Sequence, residues 1–398
     1  MTEPPSTGAP APAGFADKPA RREYLLVTMA GFLFSISHNY SALLAIVFER
    51  SGHSIQATGQ LLSLFAVTAI AGSLASSAVC ARFGVLASIR LAIFLTGLSM
   101  ASFALTRESY WLALLSRLVQ GIGVGLLVPV ALVYIQSRIT RERFVILLTG
   151  FSAFIPLAAA VAPPLGEWTL HHYGETALFL EAAAPAVLGI LLTLGLRDAP
   201  RPPNTGGLNL QGAFEARFYL PYLIVLAGGG LYGYSVNYLA ASMQQRAILL
   251  AAFFIPSSIA LVAMRLGGIW FLGKLNPRIL VTLSLLTYGI GYLFMAPAQG
   301  PVAMAIGGVF FGIGNSIMFP VVAAWIGEGL EPARRAAPQA VNNACFYVGI
   351  YALPWPQSFM IAKWGYAAPE WMWAVIALAL TALMTFFLIG RRTSAQAG

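Results

Sequence analysis

The sequence predicts an all-α integral membrane protein with twelve transmembrane helices in two pseudo-symmetric six-helix bundles. Three observations carry the prediction. Hydrophobic residues make up 58% of the 398 residues and charged residues only 9%, whereas a soluble domain carries about 25% charged residues. Apolar stretches recur at close to the roughly 20 residues that one crossing of a bilayer needs. A decapeptide, GIGVGLLVPV at 121–130, returns as GIGNSIMFPV at 312–321.

With a mean hydropathy of +0.77, the chain cannot cover a water-facing surface, so its solvent is largely lipid. The apolar stretches lie at 24–47, 57–80, 87–105, 109–136, 144–167, 174–196, 218–241, 247–272, 279–297, 301–326, 337–361 and 370–390. Lipid offers no hydrogen bonds, so each stretch satisfies its own backbone as a helix. We number these spans one to twelve. The predicted organisation is a disordered cytoplasmic tail at 1–23, a first bundle at 24–196, a cytoplasmic linker at 197–217, a second bundle at 218–390 and a tail at 391–398. Residues 1–20 are rich in Pro, Ala and Gly and lack an apolar core, which fits a disordered tail and not a cleavable signal peptide. Pro, Gly and charge cluster again in the linker, RDAPRPPNTGGLNLQGAFEAR.

An even number of spans puts both termini on one side. Placing them inside puts seventeen of the 23 Lys and Arg on that side, with Arg50, Arg107, Arg246 and Lys363 outside and Arg117 and Arg265 within spans. The excess of basic residues in inner loops selects termini in the cytoplasm. The net charge of +9 is thereby a matter of topology and implies no nucleic-acid partner. Cys80 and Cys345 fit neither a disulfide framework nor a metal cluster. Adjacent His171 and His172 cannot share one helix face, so no metal site is assigned to them. No cofactor is expected, and no set of nucleophile, base and acid suggests an enzyme.

The repeat is wider than the decapeptide. An offset of 191 relates Gly121 to Gly312, Pro129 to Pro320, Pro163 to Pro354 and Gly174 to Gly365, and an offset of 192 relates Arg82 to Lys274 and Gly97 to Gly289. Matching span positions make this a duplication of six helices in the same orientation, related by an axis along the membrane normal.

This pattern resembles the major facilitator superfamily over about residues 24–390. Span four carries Arg117-Leu-Val-Gln120-Gly121-Ile-Gly123, which resembles the family's R-x-x-Q-G-x-G motif. The stretch around Arg82-Phe83-Gly84 resembles the gate motif after span two, but Ala81 stands where the family has an acid. Ala158–Glu167 resembles the span-five motif of antiporter-type exporters, with Pro163 retained and two glycines replaced by alanine. The resemblance implies the major facilitator fold, a central cavity between the bundles, and alternating access to it from either side.

Charged groups within a bilayer are costly and usually face the bundle interior. Arg117, with Gln120 one turn away, is a candidate for anion binding or a proton-linked gate, or else it ties spans together through carbonyls. Arg265 in span eight either faces the cavity or snorkels to the surface. Glu181 in span six is the one acid that the sequence places well inside a span, and Arg82 is the candidate gate residue. In span one, Ser35, His38, Asn39 and Ala42 share a helix face, and an imidazole titrates near neutral pH. His38 is therefore a candidate for proton coupling, or a hydrogen-bonded structural histidine. In span seven Gly230, Tyr234, Asn237 and Ala241 share a face. In span eleven Gln339, Asn343 and Tyr347 do so, with Asn342 and Phe346 on an adjacent strip. Asn315, opposite Val124 in the repeat, is expected to give the second half of the cavity a polar contact that the first lacks. The predicted solute-binding set is thus His38, Asn39, Arg117, Gln120, Tyr234, Asn237, Asn315, Asn343 and Tyr347.

The sequence points to a secondary transporter moving a small polar or amphiphilic solute by proton-coupled efflux. The alternatives are an importer of an organic anion, and a non-transporting receptor or scaffold. The expected partners are a small-molecule substrate, protons and the lipid bilayer. The expected form is a monomer in the plasma membrane, the inner membrane of a bacterium.

Overall fold

Glycine and proline punctuate the chain at the places where one helix must end and the next begin. The computed structural model describes residues 18–140, 144–200, 212–268, 275–331 and 334–396, which are helical with short turns and contain no strand among them. Span one runs Lys18–Asn39, a 3₁₀ turn at Tyr40–Leu43, and Leu44–Arg50. Spans two to six are Ile55–Phe83, Val85–Thr106, Tyr110–Gln136, Phe144–His172 and Gly174–Thr193. Span seven is Ala216–Asn237 with Leu239–Gln245, and spans eight to ten are Ala251–Gly267, Pro277–Met295 and Pro301–Gly327. Span eleven is Ala336–Tyr351 with Pro354–Trp364, and span twelve is Ala367–Gln396. Eight of the described helices are long and apolar enough to cross a membrane, and nine if the bent pair of span seven counts as one crossing.

Gly174, between spans five and six, has φ 82°, and its repeat partner Gly365, between spans eleven and twelve, has φ 79°. Only glycine enters this region without strain, which explains why both halves keep it. Asn276 caps span nine by accepting from Arg278 N–H at 2.9 Å, and Pro277 follows at the first helical position, where its missing N–H leaves no bond unmade.

The two bundles pack by the same rules. Span two lies on four, three on four, three on six and one on five; in the second half eight lies on ten, nine on ten, nine on twelve and seven on eleven. The bundles meet where span two packs on eleven and span five on eight, contacts that the repeat also interchanges. The duplicated glycines make these approaches possible. A Cβ on Gly121 would meet the Thr68 hydroxyl and lie 2.7 Å from the Phe65 carbonyl oxygen of span two, while one on Gly312 would collide with the Ser257 carbonyl of span eight. Gly123 abuts span three at the Ala92 carbonyl, and Gly314 abuts span nine at the Ser284 carbonyl.

Three spans expected to be continuous are broken. Asn39 donates its amide to the Ser35 carbonyl at 2.7 Å, and span one leaves the α-helix at the next residue. Asn237 donates to the Gly233 carbonyl at 2.7 Å and to the Ile350 carbonyl at 3.0 Å, and span seven bends by 48° after it. A side chain that inserts into the helical ladder is a known cause of such bends. In span eleven Pro354 cannot donate a backbone bond, and Ser63 of span two fills the gap: it donates to the Ala352 carbonyl at 3.1 Å and accepts from Trp355 N–H at 2.8 Å.

Both predicted tails are shorter than expected. Span one begins at Lys18 and span twelve runs to Gln396. The first extension is held by Glu23, which pairs with Arg138 at 2.6 Å and Arg197 at 2.5 Å. Residues 1–17, most of the linker (201–211), Arg141, Arg143 and Lys274 lie outside the described residues.

Replacing Gly121 or Gly312 by Val is expected to cost about 1–3 kcal/mol by overpacking, and thermal unfolding in detergent will read it as a lowered midpoint. Gly300→Val is the control, because a Cβ there meets nothing within 4 Å.

Candidate functional site

A small polar cavity opens between the bundles at the level where spans one and seven break. Span one lines it with His38, Asn39, Ser41 and Ala42, and span four with Arg117. From the second bundle come Tyr232, Val236 and Asn237 of span seven and Tyr351 of span eleven. The breaks put polar side chains here, since each interruption frees backbone and turns neighbouring residues toward the space between the helices.

Arg117 is 1% exposed. It donates to the Leu61 carbonyl at 3.3 Å, to the Leu62 carbonyl at 3.4 Å and to Gln120 Oε1. Its guanidinium lies 4.5 Å above the Phe65 ring. Gln120, fully buried, does not line the cavity; its amide donates to Ser41 Oγ at 2.9 Å and so ties span four to the break in span one. Arg117 therefore ties spans together through carbonyls and also faces the cavity.

His38 Nε2 lies 3.2 Å from the Tyr351 hydroxyl, a polar contact that links the two bundles directly. The ring stacks between Phe34 and Phe65, at 6.4 and 5.9 Å between centroids, and Arg117 is within electrostatic reach. On the opposite wall Tyr232 stacks on Phe346 at 6.3 Å, and Tyr351 on Tyr347 at 6.1 Å.

Of the predicted solute-binding set, the structure brings His38, Asn39, Arg117 and Asn237 together around this space. Tyr234 is corrected: it points into the second bundle, donating to the Tyr366 carbonyl at 2.8 Å and to Glu370 at 3.1 Å. Span seven turns Tyr232 and Val236 to the cavity instead, two residues to either side. Asn315 accepts from the Tyr288 hydroxyl at 3.0 Å and does not line the cavity. Span eleven is also rotated from the expected face. Gly229 and Gly349 bring spans seven and eleven so close that a Cβ on Gly229 would lie 2.5 Å from the Phe346 carbonyl oxygen. This packing buries Asn342 and leaves Asn343 exposed, while Gln339 donates to the Ala323 carbonyl at 2.6 Å. Tyr347 reaches the site only through Tyr351.

Arg265 lies within electrostatic reach of Tyr288 and of Tyr232, which lines the cavity. Glu181 sits against Tyr40, outside the cavity lining. Arg82 is exposed, with its guanidinium 5.5 Å from the Phe83 ring, and among the described residues it makes no ion pair. Its neighbour Ala81 stands where the family has an acid.

Two features were missed by sequence reasoning. Glu370, in the first turn of span twelve, is fully buried, paired with Arg246 at 2.6 Å and bonded by Ser242 Oγ at 2.8 Å. Its place at the very start of an apolar stretch hid it among loop residues. The second feature is a set of bonds between bundles at the end remote from residues 18 and 396. Tyr366 donates to Glu49, and the Leu250 N–H at the start of span eight donates to Glu167 Oε2 at 2.9 Å. Together with Ser63 they hold that end closed.

Two repeated helix bundles around a buried polar cavity, each crossing a membrane several times, define a multi-pass membrane transporter. The family model for the Major Facilitator Superfamily matches residues 24–298 and 234–397, and the chain belongs to that family. It is 25% identical over 299 residues to the multi-drug resistance efflux pump PmrA of Streptococcus pneumoniae serotype 4, a match that covers 70% of this chain and 73% of that protein. Among solved structures, a POT family transporter in complex with a thioalcohol-conjugated peptide superposes with a TM-score of 0.77 at 13% identity, covering 93% of this chain and 96% of that one. The xylose transporter XylE from E. coli in its inward-open conformation gives 0.75 at 16% identity, covering 92% and 95%. At such identities these structures share the fold alone.

Glu370→Gln leaves the part-buried Arg246 without its charge partner, so it is expected to destabilise the protein by about 1–3 kcal/mol. Thermal unfolding of that variant, of Arg246→Met and of the double variant measures it; the double variant is expected to lose less than the two single losses added.

Proposed function

We propose that the chain is a proton-coupled exporter that moves a small polar or amphiphilic solute across the plasma membrane by alternating access. The supporting observation is the cavity between the bundles, where His38 of one bundle touches Tyr351 of the other beside Arg117. With residues 18 and 396 on the cytoplasmic side, as the basic residues of the inner loops favour, the Glu49, Glu167 and Ser63 contacts close the outer end. The cavity is then loaded from the cytoplasm. Outward release needs those contacts to part while the bundles rock about the packed pairs of spans two with eleven and five with eight.

In this reading Arg117 holds the solute, Asn39 and Asn237 orient it, and His38 takes the coupling proton at the seam. A proton gained by His38 alters its bond with Tyr351 and so biases the two bundles toward one arrangement. The likeness to a protein named as a multi-drug efflux pump and the retained Pro163 in span five support export. A second reading, proton-coupled import of an organic anion, is favoured by one observation: the cavity lining holds a buried cation and no carboxylate. A bound anion and a protonated His38 would attract each other, which favours carrying both in one direction.

The deciding experiment is a solute screen in everted and right-side-out membrane vesicles with an imposed proton gradient. Uptake into everted vesicles that a protonophore abolishes supports export. Uptake into right-side-out vesicles selects the second reading, and no gradient-dependent flux in either overturns both. Arg117→Ala is expected to lower flux by about 10–100-fold, the loss of a charge-assisted contact worth roughly 1.5–3 kcal/mol, while the protein still elutes as a folded species. Wild-type flux from that variant removes Arg117 from the site. His38→Gln is expected to flatten the pH profile of transport; an unchanged profile makes His38 a structural residue.

A further inference from the structure

We infer that the solute of the central cavity is a small organic anion with a flat, aromatic body. The inference rests on the reading of this cavity as the transport site, and it holds for either direction of transport.

The charge of the site is one-sided. Arg117 is buried against the cavity, and the groups within its electrostatic reach are His38 and the Tyr351 hydroxyl. Among the described residues it has no carboxylate partner. The Leu61 and Leu62 carbonyls and Gln120 satisfy its donors but leave its charge uncompensated, and a buried charge without a counter-charge is costly. An anionic solute removes that penalty, while a cation adds to it. Arg265, within reach of Tyr232 across the cavity, adds charge of the same sign.

The acids are used elsewhere. Glu370 is paired with Arg246 and Glu23 with Arg138 and Arg197. Glu49 accepts from Tyr366, and Glu167 from the Leu250 N–H. None lines the cavity, so a cationic solute finds no partner there.

The remaining lining groups suit a carboxylate or a similar anion. The Tyr232 and Tyr351 hydroxyls can donate, as can the Ser41 hydroxyl. His38 Nδ1 is buried with no hydrogen-bond partner among the described residues, so it is open to a solute atom. The walls are aromatic on both sides. Phe65 lies under Arg117 and 4.4 Å from the Tyr351 ring, and Tyr232 is held face-on by Phe346. Flat apolar faces of this kind favour a ring over a branched or sugar-like body.

The test uses the full chain in nanodiscs and three probes of one skeleton and different charge: phenylacetate, phenylacetamide and phenethylamine, with cyclohexylacetate as the non-aromatic acid. Calorimetric titration is expected to give phenylacetate at least about 10-fold tighter than phenylacetamide, as a charge-assisted contact implies, with phenethylamine weakest and cyclohexylacetate weaker than phenylacetate. Arg117→Gln is expected to abolish the preference for the anion. Binding of phenethylamine or phenylacetamide as tight as phenylacetate overturns the inference whether or not that variant folds, and so does the lack of saturable phenylacetate binding. Val236→Trp, which fills the cavity, separates the two readings. If it abolishes binding of the preferred probe, the cavity is the site and the charge order decides the solute class. If phenylacetate still binds the filled cavity, the probe sits elsewhere and the reading of the cavity itself fails.

Discussion

Within a bilayer every backbone group must find its partner in the protein, and the working parts of this molecule sit where that rule is met by a side chain instead of by the helix. Asn39 and Asn237 take up i−4 carbonyls at the last α-helical residue of spans one and seven, and the chain turns there. Ser63 takes up the two groups freed around Pro354 in span eleven. Without these substitutions the spans would run straight, the side chains of Tyr232, Asn237 and His38 would not converge, and the space between the bundles would close as ordinary helix packing.

The same breaks separate the charges. Ion pairs and carboxylates gather toward the ends of the bundles: Glu23 with Arg138 and Arg197 at one, Glu370 with Arg246 and the Glu49 and Glu167 acceptors at the other. The cavity keeps the Arg117 guanidinium among carbonyls, amides and rings. Charge at the ends is buried too, but there each carboxylate meets a cation or an N–H or O–H donor. Charge at the centre is held by the Leu61 and Leu62 carbonyls and by Gln120. The acceptors at the closed end lie on the opposite bundle from their donors, so the pairs that secure that end are the ones a rocking motion must part.

The duplication sets the geometry of both halves but not their chemistry. Gly121 and Gly312 make equivalent approaches to spans two and eight, and Gly174 and Gly365 make equivalent turns. These are backbone demands, and they are the same wherever the same helix arrangement is built. The side chains between them have diverged: Arg117 and His38 come from the first half, Tyr232 and Tyr351 from the second. A cavity with two unlike walls offers unlike contacts on its two sides.

Much of this was legible in the residues alone. Hydropathy, charge distribution and the offset of 191 determined the span number and the internal repeat. The spacing of His38, Asn39 and Ala42 put them on the face of span one that lines the cavity, and Arg117 was legible as a charge within a span. These are local or periodic properties, and the chain carries them in order. The sequence misjudged the faces of spans seven and eleven, where Tyr234 and Asn343 turn away from the cavity. It also missed Glu370 and the bonds of Glu49 and Glu167. A helical wheel assumes a straight, regular helix, whereas span seven breaks at Tyr238 and span eleven is turned by the close contact of Gly229 with Gly349. Those rotations, and the pairing of acids with partners up to 317 residues away, depend on which helices touch. Composition and periodicity determined that this chain is a duplicated bundle in a membrane. Only the packing of one half against the other decided which side chains face the cavity, because a side chain's direction is fixed by its neighbours in space and not by its neighbours in the chain.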